Sequence, residues 1–321
     1  MSHGDGVNVP LNDILTPSLG FIDDMGKDEK KMNGKFKITG FADEIDQDLG
    51  VQIESLKKLG VCYVEMRGAD GNNLIHHSDA KVKEIRERMK EAGISLSALG
   101  SPLGKIGIDD PFEKHFEEFK RAIEIAHYME CPRIRMFSFY LPKDALPAAW
   151  REQVFDRIGQ FVDYASANNI LLLHENEKGI YGERAEECRE LMDAFAGEHF
   201  RAIFDFANFI QAKQDTLEAY DMLKDHIAYI HVKDALWNTG EVVPAGYGDG
   251  NVAAILKKLY ENGYDGFLSL EPHLFNFKGF AGLERENEKL IKKESDPGRV
   301  LSGFEAFSLA HESLLKILQT I

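Results

Sequence analysis

The sequence predicts an α/β protein built as one (β/α)8 TIM barrel over residues 36–321, with a short N-terminal extension over residues 1–35 and a C-terminal helix. Two observations predict this fold class. Short apolar runs alternate eight times with helical patterns, which indicates right-handed βαβ units and a parallel sheet. Each run is nearly continuous in apolar residues, as expected of strands covered on both faces. Eight such units favour a closed barrel over an open sheet, and barrels of this size are single domains.

The predicted strands follow one another at regular intervals along the chain. They are KITGF (37–41), VCYVEM (61–66), ISLSAL (94–99), RIRMFSF (133–139), ILLLHE (170–175), RAIFD (201–205), IAYIHV (227–232) and GFLSLE (266–271). Helices are expected between them, where apolar residues recur at helical spacing. After the first helix, which ends before Gly60, the predicted spans are 79–92, 111–129, 148–168, 183–196, 214–225 and 250–262.

The C-terminal part has two distinct patterns. A terminal helix should close the outer ring, because one of its faces is apolar. That face consists of Val300, Phe304, Phe307, Leu314 and Leu318. Residues 272–298 are rich in charge, and they form either a solvated helix or loop, or a partial lid that leaves the catalytic end of the barrel.

Composition excludes several classes of function. With 44% hydrophobic and 29% charged residues, the 321-residue chain resembles an ordinary globular protein. No apolar run is long enough for a bilayer span, and the first residues lack the features of a secretory signal, so we expect no membrane partner and a cytoplasmic location. The net charge of −16 opposes nucleic-acid binding. The three cysteines show no CxxC spacing, which argues against a disulfide framework and a thiolate zinc site.

Strands five to eight each carry a potential metal ligand at or near the C-terminal end. These residues are Glu175, Asp205, His231 and Glu271. In a barrel the C-terminal strand ends converge on one pocket, so the four side chains can meet. Three carboxylates and one imidazole form a hard, oxygen-rich site that suits one divalent ion, with Mn²⁺ first and Mg²⁺, Co²⁺, Zn²⁺ or Fe²⁺ as alternatives.

The motifs HENEKG, FDFAN, IHVKDA, GYGDGN and LSLEP together resemble the xylose isomerase-like sugar isomerase/epimerase superfamily over residues 36–275. The resemblance implies that Glu175, Asp205, His231 and Glu271 bind the ion, and that the two glutamates form the acid/base pair. Many members carry His three residues after the strand-six Asp, where it touches substrate. Here that residue is Asn208, which can hydrogen-bond a hydroxyl but cannot shuttle a proton.

These residues predict an isomerase or epimerase for a small sugar. A proton next to a carbonyl is removed by one carboxylate, and the resulting enediolate is stabilised by the metal. Lys233, Arg135 and Lys105 are candidates for binding substrate, although Lys233 could instead pair with Asp234 or Glu271. Glu177 either contacts substrate or is a charge at a helix start. GYGDGN is either a phosphate cradle or a turn, and a homo-oligomer fits the architecture.

Three other functions compete with this prediction. A lyase or dehydratase acting on keto-sugars or oxidised glycosides would use the same site, because proton abstraction can also expel a β leaving group. An abasic-site endonuclease would need further histidine ligands near strands two and three and a basic groove; the third run is followed by Gly100, Ser101 and Pro102. A non-enzymatic sugar-binding protein is disfavoured, since clustered carboxylates without a metal would repel one another.

Overall fold

The computed structural model describes residues 36–274 and 301–321 of the chain. Eight parallel strands form one sheet in the order β1-β8-β7-β6-β5-β4-β3-β2, and β1 also lies against β2, so the barrel is nearly closed. The strands are β1 Lys37–Gly40, β2 Tyr63–Met66, β3 Ser95–Leu103, β4 Arg133–Met136, β5 Leu171–Glu175, β6 Phe200–Asp205, β7 Ile227–Val232 and β8 Phe267–Leu270. The predicted TIM-barrel fold is therefore confirmed.

Helices follow the strands in the expected alternation. They are α1 Leu49–Lys58, α2 Asp79–Glu91, α3 Phe112–Tyr128, α4 Pro147–Ala167, α5 Ala185–Phe195, α6 Phe206–Gln211, α7 Thr216–Leu223, α8 Val252–Glu261 and α9 Gly303–Leu318. Side-chain caps set several of these starts: Asp48 accepts from Val51 N at α1, and Ser302 forms a capping box with Glu305 at α9. No helix in the described residues is long and apolar enough to cross a bilayer.

The structure departs from the predicted elements in a few places. β4 ends at Met136 rather than at residue 139, because Phe139 has a φ of +66°, which an extended strand cannot contain. β3 runs on to Leu103, past the predicted end at residue 99. The short helix α6 was not predicted, and neither were two small antiparallel pairs, Gly68–Ala69 with Asn72–Asn73 and Asp234–Ala235 with Val242–Val243.

The barrel interior is apolar in one part and hydrogen-bonded in another. An apolar cluster fills the barrel below the strand ends; it consists of Ala98, Leu173, Ile203, Tyr229 and Phe267. Beside it Ser97 Oγ lies 2.8 Å from Thr39 Oγ1 and 2.9 Å from Tyr229 OH, so these buried hydroxyls satisfy one another. These contacts fill the barrel interior beneath the C-terminal ends of the strands.

Some predictions concern parts of the chain outside the described residues. The predicted N-terminal extension, residues 1–35, lies outside them. Most of the charged segment 272–298, predicted as a solvated helix or loop or as a partial lid, also lies outside, because the description stops at residue 274. Val300, the first residue of the predicted apolar face of the terminal helix, is also outside. The rest of that helix is present as α9.

Candidate metal centre

Four ligand-type side chains meet at the C-terminal ends of β5, β6, β7 and β8. Each of Glu175, Asp205, His231 and Glu271 offers one ligand atom, and these atoms lie within 4.8 Å of one another. All four side chains are buried. The strand register produces this convergence, because Asp205 pairs with His231 across β6 and β7. The structure thus brings together the set that the sequence predicts.

The distances within the cluster leave one oxygen without a hydrogen bond. His231 Nδ1 lies 2.9 Å from Glu175 Oε1, 3.5 Å from Glu271 Oε2 and 3.9 Å from Asp205 Oδ2. Among the described residues Asp205 Oδ2 is buried and accepts no hydrogen bond, although the Lys233 ammonium lies 3.2 Å away. The oxygen therefore keeps lone pairs that a second cation could use. Together with the donor set, three carboxylates and one imidazole, it fits a divalent ion with a preference for oxygen ligands.

The carboxylates of the cluster titrate differently. Burial raises the pKa of Asp205 to about 7, and the negative charges of Glu271 and Glu175 act in the same direction, against the attraction of Lys233. Burial also disfavours ionised Glu175, but His231 and Arg135 outweigh it and lower the pKa of Glu175 to about 2. Lys233, His273 and His231 likewise hold the pKa of Glu271 well below its usual range. Glu175 and Glu271 are thus ionised at neutral pH.

Three cationic side chains surround the cluster. Lys233 Nζ lies 3.2 Å from both Asp205 Oδ2 and Glu271 Oε2. Arg135 donates through Nη1 to Glu175 Oε2 at 3.1 Å, and Arg67 Nη1 lies 3.7 Å from Glu271 Oε1. Of the two partners considered for Lys233 from the sequence, the structure pairs it with Glu271. Each of the two glutamates therefore has its own arginine.

Asn208 faces the protein rather than open space. Its Nδ2 donates to Asn176 O at 2.9 Å and lies 3.4 Å from Glu175 Oε1, while its backbone N–H donates to Asp205 Oδ1 at 2.8 Å. Asn176 in turn pairs its side-chain amide with the backbone of Asp205. Asn208 and Asn176 thus fasten β5 to β6 next to the ligands.

Lys105 and Glu177 lie further out and form a partly exposed ion pair. Lys105 Nζ donates to Glu177 Oε2 at 2.8 Å and also lies over the ring of Phe137, 4.3 Å from its centroid. The pair joins the loop after β3 to the loop after β5. His174, the neighbour of Glu175 on β5, is buried with its Nε2 3.0 Å from Ser138 Oγ.

The GYGDGN loop surrounds a carboxylate of the chain itself. Asp234 accepts hydrogen bonds from the backbone N–H groups of Gly246, Gly248 and Gly250 at 2.9–3.0 Å. A Cβ on Gly248 would lie 2.4 Å from Asp234 Oδ1, so the loop closes tightly on this side chain. These amides are occupied by Asp234, which supports the interpretation of the loop as a turn rather than a phosphate cradle.

Sequence reasoning missed several buried charges around the site. Arg67 forms a bidentate pair with Asp43, at 2.7 and 3.1 Å, and His273 Nε2 lies between Glu44 Oε1 and Glu271 Oε1, at 3.3 and 3.2 Å. Glu65 contacts His231 from β2. The available signal was the one used for strands five to eight: charged residues at the ends of β1, β2 and β8.

Many solved structures share the fold, and three of them illustrate the similarity. The IOLI protein with a bound zinc atom is 16% identical with a TM-score of 0.67, and the match covers 89% of this chain and 99% of that one. D-allulose 3-epimerase from Methylomonas sp. in complex with D-allulose is 15% identical with a TM-score of 0.67, and the match covers 89% of this chain and 98% of that one. The probable 3-DHS dehydratase AsbF from Bacillus anthracis is 17% identical with a TM-score of 0.61, and the match covers 74% of this chain and 92% of that one. At these identities the similarity concerns the fold alone.

Comparisons of sequence agree with the structure. An uncharacterized protein of Methanocaldococcus jannaschii is 25% identical over 232 residues, which cover 66% of this chain and 76% of the relative. The family model described as xylose isomerase-like TIM barrel matches residues 53–296. That match contains all four residues of the cluster and most of the barrel. The chain therefore belongs to the xylose isomerase-like TIM barrel family.

Proposed function

We propose that the protein is a divalent-metal-dependent isomerase or epimerase that acts on a small sugar. The observation that carries the proposal is the meeting of Glu175, Asp205, His231 and Glu271, all buried, at the strand ends where barrel enzymes hold their active sites. Structural neighbours that include an epimerase with bound D-allulose and a zinc-containing protein support it. Mn²⁺ is the ion that we expect first, given three carboxylates and one imidazole.

The two glutamates have the properties of an acid/base pair. They reach the cluster from β5 and β8, with β6 and β7 between them. An ion bound here would supply Lewis acidity for a carbonyl oxygen of the substrate. Glu175 or Glu271 removes the neighbouring carbon-bound proton, and the carboxylic acid that this step forms is the source of the proton that returns to the carbon. Because both are ionised and held by arginines, they are oriented before substrate arrives.

A lyase or dehydratase is the second candidate, and one contact favours it. Lys233 Nζ lies 3.2 Å from Glu271 Oε2, so an ammonium group is beside a proposed base. Such a group can protonate a departing hydroxyl after the same proton abstraction. The probable dehydratase among the structural neighbours supports this alternative. The two candidates differ in whether the carbon is reprotonated or the leaving group departs.

Incubation of ketoses and 3-keto-glycosides with the Mn²⁺-loaded protein in D₂O tests the proposal. We expect deuterium at the carbon next to the carbonyl in a product of otherwise unchanged formula, by NMR and mass spectrometry. Release of water or an aglycone with an unsaturated product would identify a lyase instead. Asp205→Asn should lose either reaction, because it removes the charge of one ligand and leaves its shape. Absence of exchange with every substrate would contradict both candidates.

We further propose that a small sugar is the partner, in the cytoplasm, without nucleic acid or membrane, and that the chain forms a homo-oligomer. The net charge of −16 supports the exclusion of nucleic acid. An abasic-site duplex at low salt should be neither bound nor cut, because electrostatic affinity is greatest there. Metal-dependent nicking that Asp205→Ala abolishes would contradict the exclusion. Light scattering of the purified protein gives the oligomeric state.

A further inference from the structure

Glu65 on β2 contacts the metal-ligand histidine from the side opposite the cluster. Its Oε2 lies 3.1 Å from His231 Nε2 and accepts a hydrogen bond from Ser269 Oγ at 2.6 Å. The side chain is fully buried inside the barrel, and Oε1 has no hydrogen-bond partner among the described residues. A buried carboxylate with so few donors is costly, so it requires a positive charge nearby.

The two nitrogens of His231 face different surroundings. Nδ1 faces Glu175 and Glu271, at 2.9 and 3.5 Å, whereas Nε2 faces Glu65. A neutral imidazole carries one N–H, and a metal ligand must offer the lone pair of the other nitrogen. The hydrogen-bond partners of the two nitrogens therefore decide which nitrogen of His231 keeps the proton.

We propose that Glu65 is a positioning residue that accepts the Nε2–H of His231 and so presents the Nδ1 lone pair to the ion. The inference rests on the proposed metal site. A carboxylate behind a ligand histidine fixes the tautomer and raises the basicity of the ring. It also places a compensating negative charge next to a ring that shares the charge of the ion, which accounts for the burial of Glu65.

Aromatic contacts hold the plane of the ring but do not select a tautomer. Phe41 meets the His231 ring edge-on at a centroid distance of 5.3 Å, and Tyr229 does so at 5.9 Å. Neither offers a hydrogen-bond acceptor to Nε2. Glu65 alone supplies that acceptor among the contacts of His231 Nε2 in the described residues. Loss of the carboxylate should therefore change the tautomer and metal affinity more than the position of the ring.

Two variants separate the charge of Glu65 from its role as an acceptor. Glu65→Gln keeps an acceptor oxygen for Nε2–H and loses the charge; Glu65→Leu loses both. The Kd for Mn²⁺, measured by electron paramagnetic resonance, should rise about tenfold in Glu65→Gln and up to about 100-fold in Glu65→Leu. In ¹⁵N NMR spectra of the Zn²⁺-loaded protein, Nε2 of His231 should be protonated in the wild type and in Glu65→Gln. That single tautomer should be lost in Glu65→Leu.

Thr39→Val is the matched control, because Thr39 is buried in the same barrel interior and hydrogen-bonds Ser97 rather than His231. It should leave the Kd for Mn²⁺ within about twofold of the wild-type value. If Glu65→Leu does not fold, the near-isosteric Glu65→Gln decides. A folded Glu65→Gln protein with the wild-type Kd would overturn this inference while the metal site stands. A wild-type protein that binds neither Mn²⁺ nor Zn²⁺ would overturn both.

Discussion

Arg135 Nη1 lies 3.1 Å from Glu175 Oε2, and both side chains are buried at the end of the barrel that carries the cluster. Arg135 also donates to Gly100 O at 3.3 Å, so it connects β4 to β3 as well as to β5. Its guanidinium lies over the rings of Phe41 and Phe137, at 4.8 and 5.0 Å from their centroids. This arginine thus holds a proposed catalytic base in place and keeps it ionised.

Arg135→Met should destabilise the protein by about 3 kcal/mol, because removal of one partner leaves a buried carboxylate with less compensation. Urea denaturation at pH 7 measures the change. The control is Arg151→Met, whose ion pair with Glu190 has a similar length of 3.0 Å but is about half exposed. That variant should lose less than about 1 kcal/mol. Equal losses in the two variants would contradict the role of burial in this argument.

Glu175→Gln and Glu271→Gln should each lower turnover at least about 100-fold, since the amide keeps the shape of the side chain but cannot accept a proton. Deuterium exchange into the substrate measures the effect, and circular dichroism verifies folding. Glu198→Gln serves as a control, because Glu198 is exposed at the opposite end of the barrel, before β6. Substantial exchange in either active-site variant would show that another group is the base.

The cluster was predictable because its members share one rule of position. Each stands at or near the end of an apolar strand, and the barrel brings such ends together whatever the loops between them do. The alternation of apolar runs was strong enough to place all eight strands. The predicted β4 strand extended too far, to Phe139. A phenylalanine does not indicate a φ of +66° in the sequence.

The pairings of the supporting charges were not predictable in the same way, although their positions at strand ends were visible in the sequence. Glu65 and His231 are separated by 166 positions, and their contact exists only because β2 and β7 face each other across the barrel. Arg67 follows β2 at a strand end, but the sequence does not show that Asp43, beyond β1, is its partner. The sequence suggests Asp234 as an ion-pair partner for Lys233. In the structure the Asp234 carboxylate instead accepts hydrogen bonds from glycine amides of the next loop. Pairings of this kind require the three-dimensional arrangement.

Gly248→Ala should destabilise the protein by at least about 2 kcal/mol, because the new Cβ would lie 2.4 Å from Asp234 Oδ1 and 2.6 Å from Ala235 O. The buried Asp234 carboxylate would then lose amide donors. Thermal and urea unfolding measure the loss. Gly197→Ala is the matched control, since apart from its chain neighbours no described residue has an atom within 4 Å of the added Cβ. A loss in Gly248→Ala no larger than that in the control would show that the loop can relax.

His311 on α9 provides a test of stability against pH that is independent of the metal site. Burial lowers the pKa of His311 to about 4, from a usual value of 6.5. Between these two values the unfolded chain binds the proton and the folded chain does not, so stability falls as the pH decreases from about 6.5 to about 4. The shift corresponds to at most about 3 kcal/mol.

His311→Leu should remove this contribution, because leucine has no proton to bind. Other groups titrate in the same range, among them His174, whose pKa burial also lowers to about 4. The informative quantity is therefore the difference in unfolding free energy between variant and wild type. That difference should move in favour of the variant by up to about 3 kcal/mol between pH 7 and pH 4. His127→Leu, at an exposed position on α3, is the control and should show no such change. A difference for His311→Leu that stays constant across the range would mean that His311 is protonated in the folded protein as readily as in the unfolded chain.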